Sequence, residues 1–386
     1  MLAAAKEQFR KIRILNVTKA PEAANGRLLS LDALRGFDMF WIMGGHPIFL
    51  GLDNVFHNKF TGFIKQQFDH VEWFGFNFWD IIMPLFLFLC GVSMVFSLKK
   101  RMTKGNSKKQ IWMHTIRRVL LLWLLGMIVQ GKLLTYDIDK IELYSNTLQA
   151  IASGYLIATI FMLYMPLKYQ VTATAALMIT FWAILALIPV NGTTQGAYSQ
   201  WSNVAYIFDR QVLGMFHDGQ DYTWIISSLN FGATTMLGVF TGYILQSQKS
   251  QAVKFRNLVV FGTALIAAGL IIDQWHPIIK KIWTSSFVLY SGGISVLMLA
   301  AFYLAIDICK LRLGTKWMII IGSNAIFAYV AWHLFEPAFT SVSSVFVDGM
   351  KRFIGNWYQT VLYFGSFMVL FLILKFMYNR KMFIKI

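Results

Sequence analysis

The chain has 386 residues, of which 57% are hydrophobic, and it carries a net charge of +17 with a mean hydropathy of +0.55. Soluble domains are nearer about 45–50% apolar, so this composition excludes an ordinary soluble globule and calls for a bilayer as second solvent. Two cysteines, Cys90 and Cys309, and scattered histidines offer neither a disulfide framework nor a metal-ligand spacing, so no metal is expected.

The start, MLAAAKEQFRKIRILNVTKA, is basic and has no apolar core of a signal peptide. Residues 1–26 are therefore expected to form a basic cytoplasmic segment, and residues 27–386 a transmembrane domain. About 20 apolar residues span a hydrocarbon core. Ten segments meet that length, at roughly 31–50, 74–98, 114–131, 145–165, 171–190, 225–246, 256–273, 284–308, 317–335 and 358–378. The expected fold is an all-α polytopic bundle of about ten transmembrane helices. With the N-terminus inside, most of the 35 lysines and arginines fall on the cytoplasmic side, including the loop 99–113 and the C-terminus. That bias is the positive-inside rule. It explains the basic charge through topology and anionic lipid contact, and argues against nucleic acid.

The first span reads RLLSLDALRGFDMFWIMGGHPIFLG from Arg27, with Asp32, Arg35 and Asp38 spaced three apart. Arg35 can reach either carboxylate along one helix flank. The triplet reads equally as a neutralised ion-pair cluster or as part of a cofactor site. Gly44, Gly45, His46 and Pro47 then break the helix. Broken backbone at membrane depth needs protein or a wet cavity to satisfy it, which makes His46 a pocket candidate.

The stretch FDHVEWFGFNFWDIIMPLFLFLCG follows, from Phe68 to Gly91. His70 precedes an apolar run that contains a carboxylate, Asp80, with Pro84 one turn later. An ionisable group at membrane depth costs about 2.5–3.5 kcal/mol, so Asp80 beside a histidine marks chemistry or transport. Pro84 should free the carbonyl of residue 80, and Gly91 and Ser93 should let another helix approach closely. The long outer loop 191–224 is rich in aromatics (Tyr198, Trp201, Tyr206, Tyr222 and Trp224), which favours an ordered or interface-resting loop. Later spans carry Gln149, Asn230, Thr284, Ser285, Ser286, Asn324 and His333. Each alone reads as interhelical glue; together they suggest a polar path through the bundle.

RLLSLDALRG, followed by His70, Trp73, Gly75, Asp80, Pro84, Phe86, Phe88 and Gly91, resembles the heparan-α-glucosaminide N-acetyltransferase family and its bacterial relatives. Weaker matches follow at Leu148 and Gln149, from Trp283 to Ser286, and at Ser323, Asn324 and His333. The resemblance covers about residues 27–378. It implies transfer of an acetyl group from cytosolic acetyl-CoA to a glucosamine-type amine across the membrane, with His70 as counterpart of the family's active-site histidine. With the residue readings above, His70, Asp80 and His46 are the catalytic candidates. Asp32, Arg35, Asp38, Gln149, Ser285, Ser286, Asn324 and His333 become the candidate acetyl-CoA contacts. Ten residues after the glycine of the RG pair, where the lysosomal enzymes have asparagine, this chain has His46. No counterpart of their large lumenal domain is expected, and a bacterial envelope sugar is the expected acceptor. The expected location is the bacterial inner membrane, among lipids, acetyl-CoA and that sugar, with a homodimer left open.

Acyl transfer needs a base for the acceptor and stabilisation of an oxyanion, and a histidine suits the base role. His70 could take the acceptor's proton or accept the acetyl group itself; the residues do not choose between these. A secondary transporter is the rival reading, because broken helices and buried charges are also transporter features. A non-catalytic scaffold gives no reason for Asp80 and Arg35.

Overall fold

The structure, a computed structural model, describes residues 28–190 and 197–384. The expected basic segment 1–26 lies outside the described residues, as do the first residues of the 191–224 loop. The described chain is helical throughout. The helices are α1 (Leu29–Phe40), α2 (His46–Phe56), α3 (Lys59–Phe68), α4 (Ile82–Thr103), α5 (Lys108–Val129) and α6 (Thr147–Tyr164). They continue as α7 (Leu167–Leu187), α8 (Val204–Leu213), α9 (Ser228–Gln246), α10 (Gln251–Asp273), α11 (Ser285–Phe302) and α12 (Lys316–Ser323). The last are α13 (Ala325–Val347), α14 (Lys351–Ile354) and α15 (Tyr358–Asn379).

Helix falls in each of the ten expected segments, and seven helical stretches are long and apolar enough to cross a membrane. The protein is thus a multi-pass membrane protein. One of the seven, Ala325–Asn379, is itself a hairpin of α13 and α15. Ser343 Oγ donates to the Leu362 carbonyl at 2.8 Å, and Ser366 Oγ to Thr340 Oγ1 at 3.2 Å. Rising numbers on one helix meet falling numbers on the other, so the pair is antiparallel.

Burial sorts the spans into layers. The apolar windows of α4, α11 and α6 are 67%, 61% and 56% buried, against 22% for each of α5, α7 and α10. Helices apolar all round belong either in a core or against lipid, and these two groups take the two places. Starts are set by local capping. Ser107 and Gln110 exchange hydrogen bonds at the head of α5, and Asn146 and Gln149 do so at the head of α6.

Two glycines fix the centre of the bundle. A Cβ on Gly91 would strike the Thr235 carbonyl, and one on Gly238 would strike the Phe88 carbonyl. Helices α4 and α9 therefore touch backbone to backbone, the small-residue contact expected for Gly91. Ser93 acts differently, since its hydroxyl donates back to the Leu89 carbonyl at 2.5 Å and receives the Arg35 guanidinium.

The helix breaks at Met43 and Gly44, at the start of the 44–47 stretch where a break was expected. Trp41–Gly45 forms a π-helical turn in which Gly44 has φ +121°, a backbone state closed to most L-residues. Pro47 then sits in the first turn of α2, where its missing N–H is no loss. Pro84 likewise falls in the first turn of α4, so it starts that helix and does not kink it.

The 191–224 loop is ordered where described. It contains α8, and Trp224 is 4% exposed. The 274–284 loop is held beside it. His276 Nε2 accepts the Ser285 N–H at 2.9 Å, and its Nδ1 lies 2.9 Å from the Tyr198 hydroxyl. Burial pushes the His276 imidazole down from its ordinary 6.5 to about 4.

Two expectations follow. Gly91→Leu should prevent accumulation of folded protein, and Gly91→Ala should lower the melting temperature in detergent; a leucine variant that melts like the parent would contradict the packing. For His276, the unfolded chain binds a proton below pH 6.5 while the folded chain stays neutral until about 4. Stability is thus greatest above 6.5 and is lost as pH falls towards 4, by at most about 3 kcal/mol. His276→Gln should flatten the dependence of melting temperature on pH in that window. An unchanged slope in the variant would contradict this origin.

Candidate active site

Asp80 lies in the 3-10 turn Phe78–Ile81, just before α4. The carboxylate therefore occupies the amino-terminal end of the helix, where unpaired N–H groups favour negative charge. Its Oδ2 accepts the Asn77 N–H at 3.0 Å, with the Val71 N–H more distant at 3.5 Å. Its Oδ1 accepts His70 Nδ1 at 2.7 Å and lies 3.2 Å from Lys280 Nζ. Asp80 is fully buried, the Lys280 side chain is 6% exposed, and the His70 side chain is 42% exposed. The half-open imidazole is thus anchored from behind by two buried groups.

The carboxylate can only accept, so Nδ1 carries the shared proton and Nε2 keeps its lone pair. Burial holds the His70 imidazole below its ordinary value; the Asp80 bond pulls it up and the Lys280 charge pushes it down again. The net push is toward the neutral ring. Burial pushes the Lys280 ammonium down to about 8, against the pull of Asp80.

His70 opens on a cavity of about 930 Å³. Trp41, His46, Pro47 and Trp79 line one wall, with Ile82, Met83 and Phe86 from α4. Gln130, Lys132, Glu142, Asp218, Gln220, Tyr222 and Trp224 line another, and Tyr329, Trp332, His333, Glu336 and Tyr363 a third. Glu142 pairs with Lys132, and Asp218 accepts the Trp224 indole N–H at 2.9 Å. An aromatic lining with a few fixed polar groups suits a small polar ligand with apolar faces.

Three of the sequence candidates meet there: His70, His46 and His333. His46 donates Nε2–H to the Phe68 carbonyl at 2.8 Å and lies against Trp79, with ring centroids 4.2 Å apart and planes tilted by 32°. Its other nitrogen, Nδ1, is an acceptor. His333 donates Nδ1–H to the Tyr329 carbonyl at 2.9 Å, leaving Nε2 as an acceptor. A carbonyl partner fixes each tautomer.

The remaining candidates lie elsewhere. Arg35 bonds Asp32 at 3.3 Å and reaches Ser93, deeper in the bundle; Asp38 is fully buried and its carboxylate has no hydrogen-bond partner among the described residues. The Gln149 side-chain oxygen accepts the N–H groups of Ser145 and Asn146 at 2.9 and 3.1 Å, so this residue caps α6. Asn324 clamps the C-terminal tail, donating to the Met382 carbonyl at 3.0 Å and accepting the Ile384 N–H at 2.9 Å.

Ser285 and Ser286 belong to the scaffold of the 274–284 loop. Ser285 Oγ donates to the Met178 carbonyl at 2.8 Å, and Ser286 Oγ to the Pro277 carbonyl at 3.0 Å. Asn230 Nδ2 holds the Trp283 carbonyl at 2.7 Å, and Gly75 N–H holds the Ile278 carbonyl at 2.9 Å. Trp283 has φ +55° and is 1% exposed. A buried indole in that state costs on the order of 1–3 kcal/mol and persists only where its surroundings over-determine it. The polar residues of this stretch hold the loop that delivers Lys280. Sequence reasoning missed Lys280, which reads as one more surface charge. The available signal was the run HPIIKKIW, two lysines flanked by apolar residues next to an apolar span.

Among the described residues no group of three or more His, Cys, Asp or Glu side chains could hold a metal ion. A family model described as heparan-alpha-glucosaminide N-acetyltransferase, catalytic, matches residues 27–261. The heparan-alpha-glucosaminide N-acetyltransferase of Homo sapiens is 23% identical over 370 residues, covering 81% of this chain and 54% of its own length. That of Mus musculus is 23% identical over 331 residues, covering 70% of this chain and 50% of its own. The chain thus spans about half the length of these curated relatives. The matched residues include His70, Asp80, His46 and the first ion pair, and with more than half of the chain under the family model, this protein belongs to the heparan-alpha-glucosaminide N-acetyltransferase family.

Proposed function

We propose that this protein is an acyl-CoA-dependent N-acetyltransferase that moves an acetyl group from cytosolic acetyl-CoA to an amino sugar on the far side of a bacterial inner membrane. The observation that carries the reading is the His70–Asp80 pair. It fixes a neutral imidazole by Nδ1 and leaves the Nε2 lone pair at a cavity large enough for a sugar ring. Nε2 takes the acceptor's proton as its nitrogen attacks the thioester carbonyl. The tetrahedral intermediate collapses, the C–S bond breaks, and the proton passes to the departing thiolate. If Nε2 attacks the thioester first, the C–S bond breaks to release the CoA thiolate and leave an acetyl-histidine; the amine then attacks that acetyl carbon, the C–Nε2 bond breaks, and the amine's proton ends on the thiolate.

The aromatic walls suit the apolar faces of a sugar, and Glu142, Asp218 and Glu336 suit its hydroxyls and amine. Acetyl-CoA contacts are expected toward the other end of the bundle. There Arg35 meets Ser93, Arg118 stacks 4.6 Å from the Tyr155 ring, and Arg101 lies 2.8 Å from His114. Arg101 and His114 lie near the ends of α4 and α5 remote from His70, the side that the charge bias assigns to the cytoplasm, and Arg35 and Arg118 lie nearer mid-helix. Both termini and the 99–113 loop lie on that side in a bundle of about ten spans, with residues 27–386 as the transmembrane domain. The broken helix at Trp41–Gly45 is a feature shared with transporters. A buried carboxylate that orients one imidazole favours catalysis.

His70→Ala should leave acetyl-CoA binding nearly intact, measured by calorimetry, and lower acetyl transfer to glucosamine by about 10²-fold or more. A variant that transfers at the parent rate would overturn the assignment.

A further inference from the structure

A third charged group touches the His70–Asp80 pair without handling the transferred proton. Lys280 arrives from a loop about 200 residues away in sequence and lies with Nζ 3.2 Å from Asp80 Oδ1 and 3.1 Å from His70 Nδ1. His70 Nδ1 already gives its proton to the same carboxylate oxygen at 2.7 Å. An ammonium has no lone pair to offer, and a protonated ring nitrogen has none to accept with. The 3.1 Å contact is therefore a charge pressed against the imidazole by a shared carboxylate, with no hydrogen bond between the two.

We propose that Lys280 is a positioning residue whose cation, bonded to Asp80, keeps the His70 ring neutral with its proton on Nδ1 and its lone pair on Nε2; this rests on His70 being the base or acyl acceptor. Two effects follow from one placement. Asp80 alone would stabilise an imidazolium, because a carboxylate favours the charged ring. Lys280 offsets that charge and leaves the orienting bond in place. The loop is built to hold the cation there. Trp283 N–H donates to the Lys280 carbonyl at 2.9 Å, Thr284 Oγ1 receives the Ile279 N–H at 3.0 Å, and Thr223 N–H holds the Lys281 carbonyl at 3.0 Å.

On its exposed side His70 shares a shallow pocket with Lys65, Asp69 and Glu72; the charges that shift the ring are Asp80, Lys280 and Lys281. Asp80 acts from the turn before α4, and Lys280 and Lys281 from the loop. Lys281 is paired with Asp221 at 2.8 Å. Glu142 on the far wall is paired with Lys132. The cation in contact with the ring is Lys280.

The test reads His70 without turnover. Diethyl pyrocarbonate modifies only the unprotonated imidazole, and the half-open His70 is within its reach. The rate at the His70 peptide, followed by mass spectrometry against pH in the full-length protein in detergent, gives the midpoint of the ring. The exposed His57 serves as internal standard. In Lys280→Met the midpoint should rise, and the rate below it should fall roughly three- to tenfold at a given pH. Lys280→Arg should retain the parent midpoint, and Lys281→Met should move it less than Lys280→Met. Lys280→Gln keeps a donor to Asp80 without the charge, and it carries the test if the methionine variant is not recovered folded. The acid limb of the acetyl-transfer pH profile should move with the midpoint. A merely structural lysine would lower turnover at every pH and leave the limb in place. An unmoved midpoint in the neutral variants, or an equal shift in Lys280→Arg, would overturn the proposal. A midpoint that moves in a protein with no acetyl transfer would uphold the electrostatic role and overturn the acyltransferase reading.

Discussion

The buried carboxylate of Asp80 is the point on which the rest of the site depends. It gathers a backbone N–H from its own turn, the imidazole of the preceding loop and an ammonium from a loop late in the chain. Removing a charge of this kind from water costs several kcal/mol, and only excellent geometry with all lone pairs used offsets it. The donors supply that geometry, and the end of α4 adds its unpaired N–H groups. The carboxylate is thus stable where it stands, and its position dictates where His70 and Lys280 must be.

The surrounding architecture serves that placement. Close contact at Gly91 and Gly238 seats α4 in the centre of the bundle and so fixes the turn that bears Asp80. The π-helical break at Trp41–Gly45 redirects the chain so that His46 and Trp79 lie against each other along one wall of the cavity. The strained Trp283 and the serines that follow hold the Lys280 loop from the other side. Strain and buried polar bonds gather around one imidazole, the pattern expected where a fold is shaped by chemistry.

Much of this was legible in the chain. Apolar length located helix in each of the ten segments, and seven helical stretches among the described residues are long and apolar enough to cross a membrane. A histidine ten residues before a carboxylate in an apolar run marked the pair that the structure joins at 2.7 Å. Other features were out of reach because they depend on long-range packing. Lys280 reads as a surface charge until the fold brings its loop to Asp80. Gln149, Ser285, Ser286 and Asn324 have the composition of a polar path, yet their side chains cap a helix, tie a loop and hold the tail. Pro84 was expected to free the carbonyl of residue 80 from within a helix, because the start of α4 cannot be fixed within an apolar run; the same proline lies in the first turn of α4. Polarity inside a span is visible in sequence, but what it bonds to is decided by neighbours far along the chain.

In the proposed reaction an acetyl group crosses while its carrier stays behind. The most direct measurement uses proteoliposomes with the cytoplasmic face outward, glucosamine sealed inside and acetyl-labelled CoA added outside. The proposed reaction should yield N-acetylglucosamine carrying the label inside the vesicles, with free CoA accumulating outside in equal amount and no label crossing without glucosamine. Glucosamine leaving the vesicles unmodified, with acetyl-CoA unconsumed, would contradict it and identify a transporter.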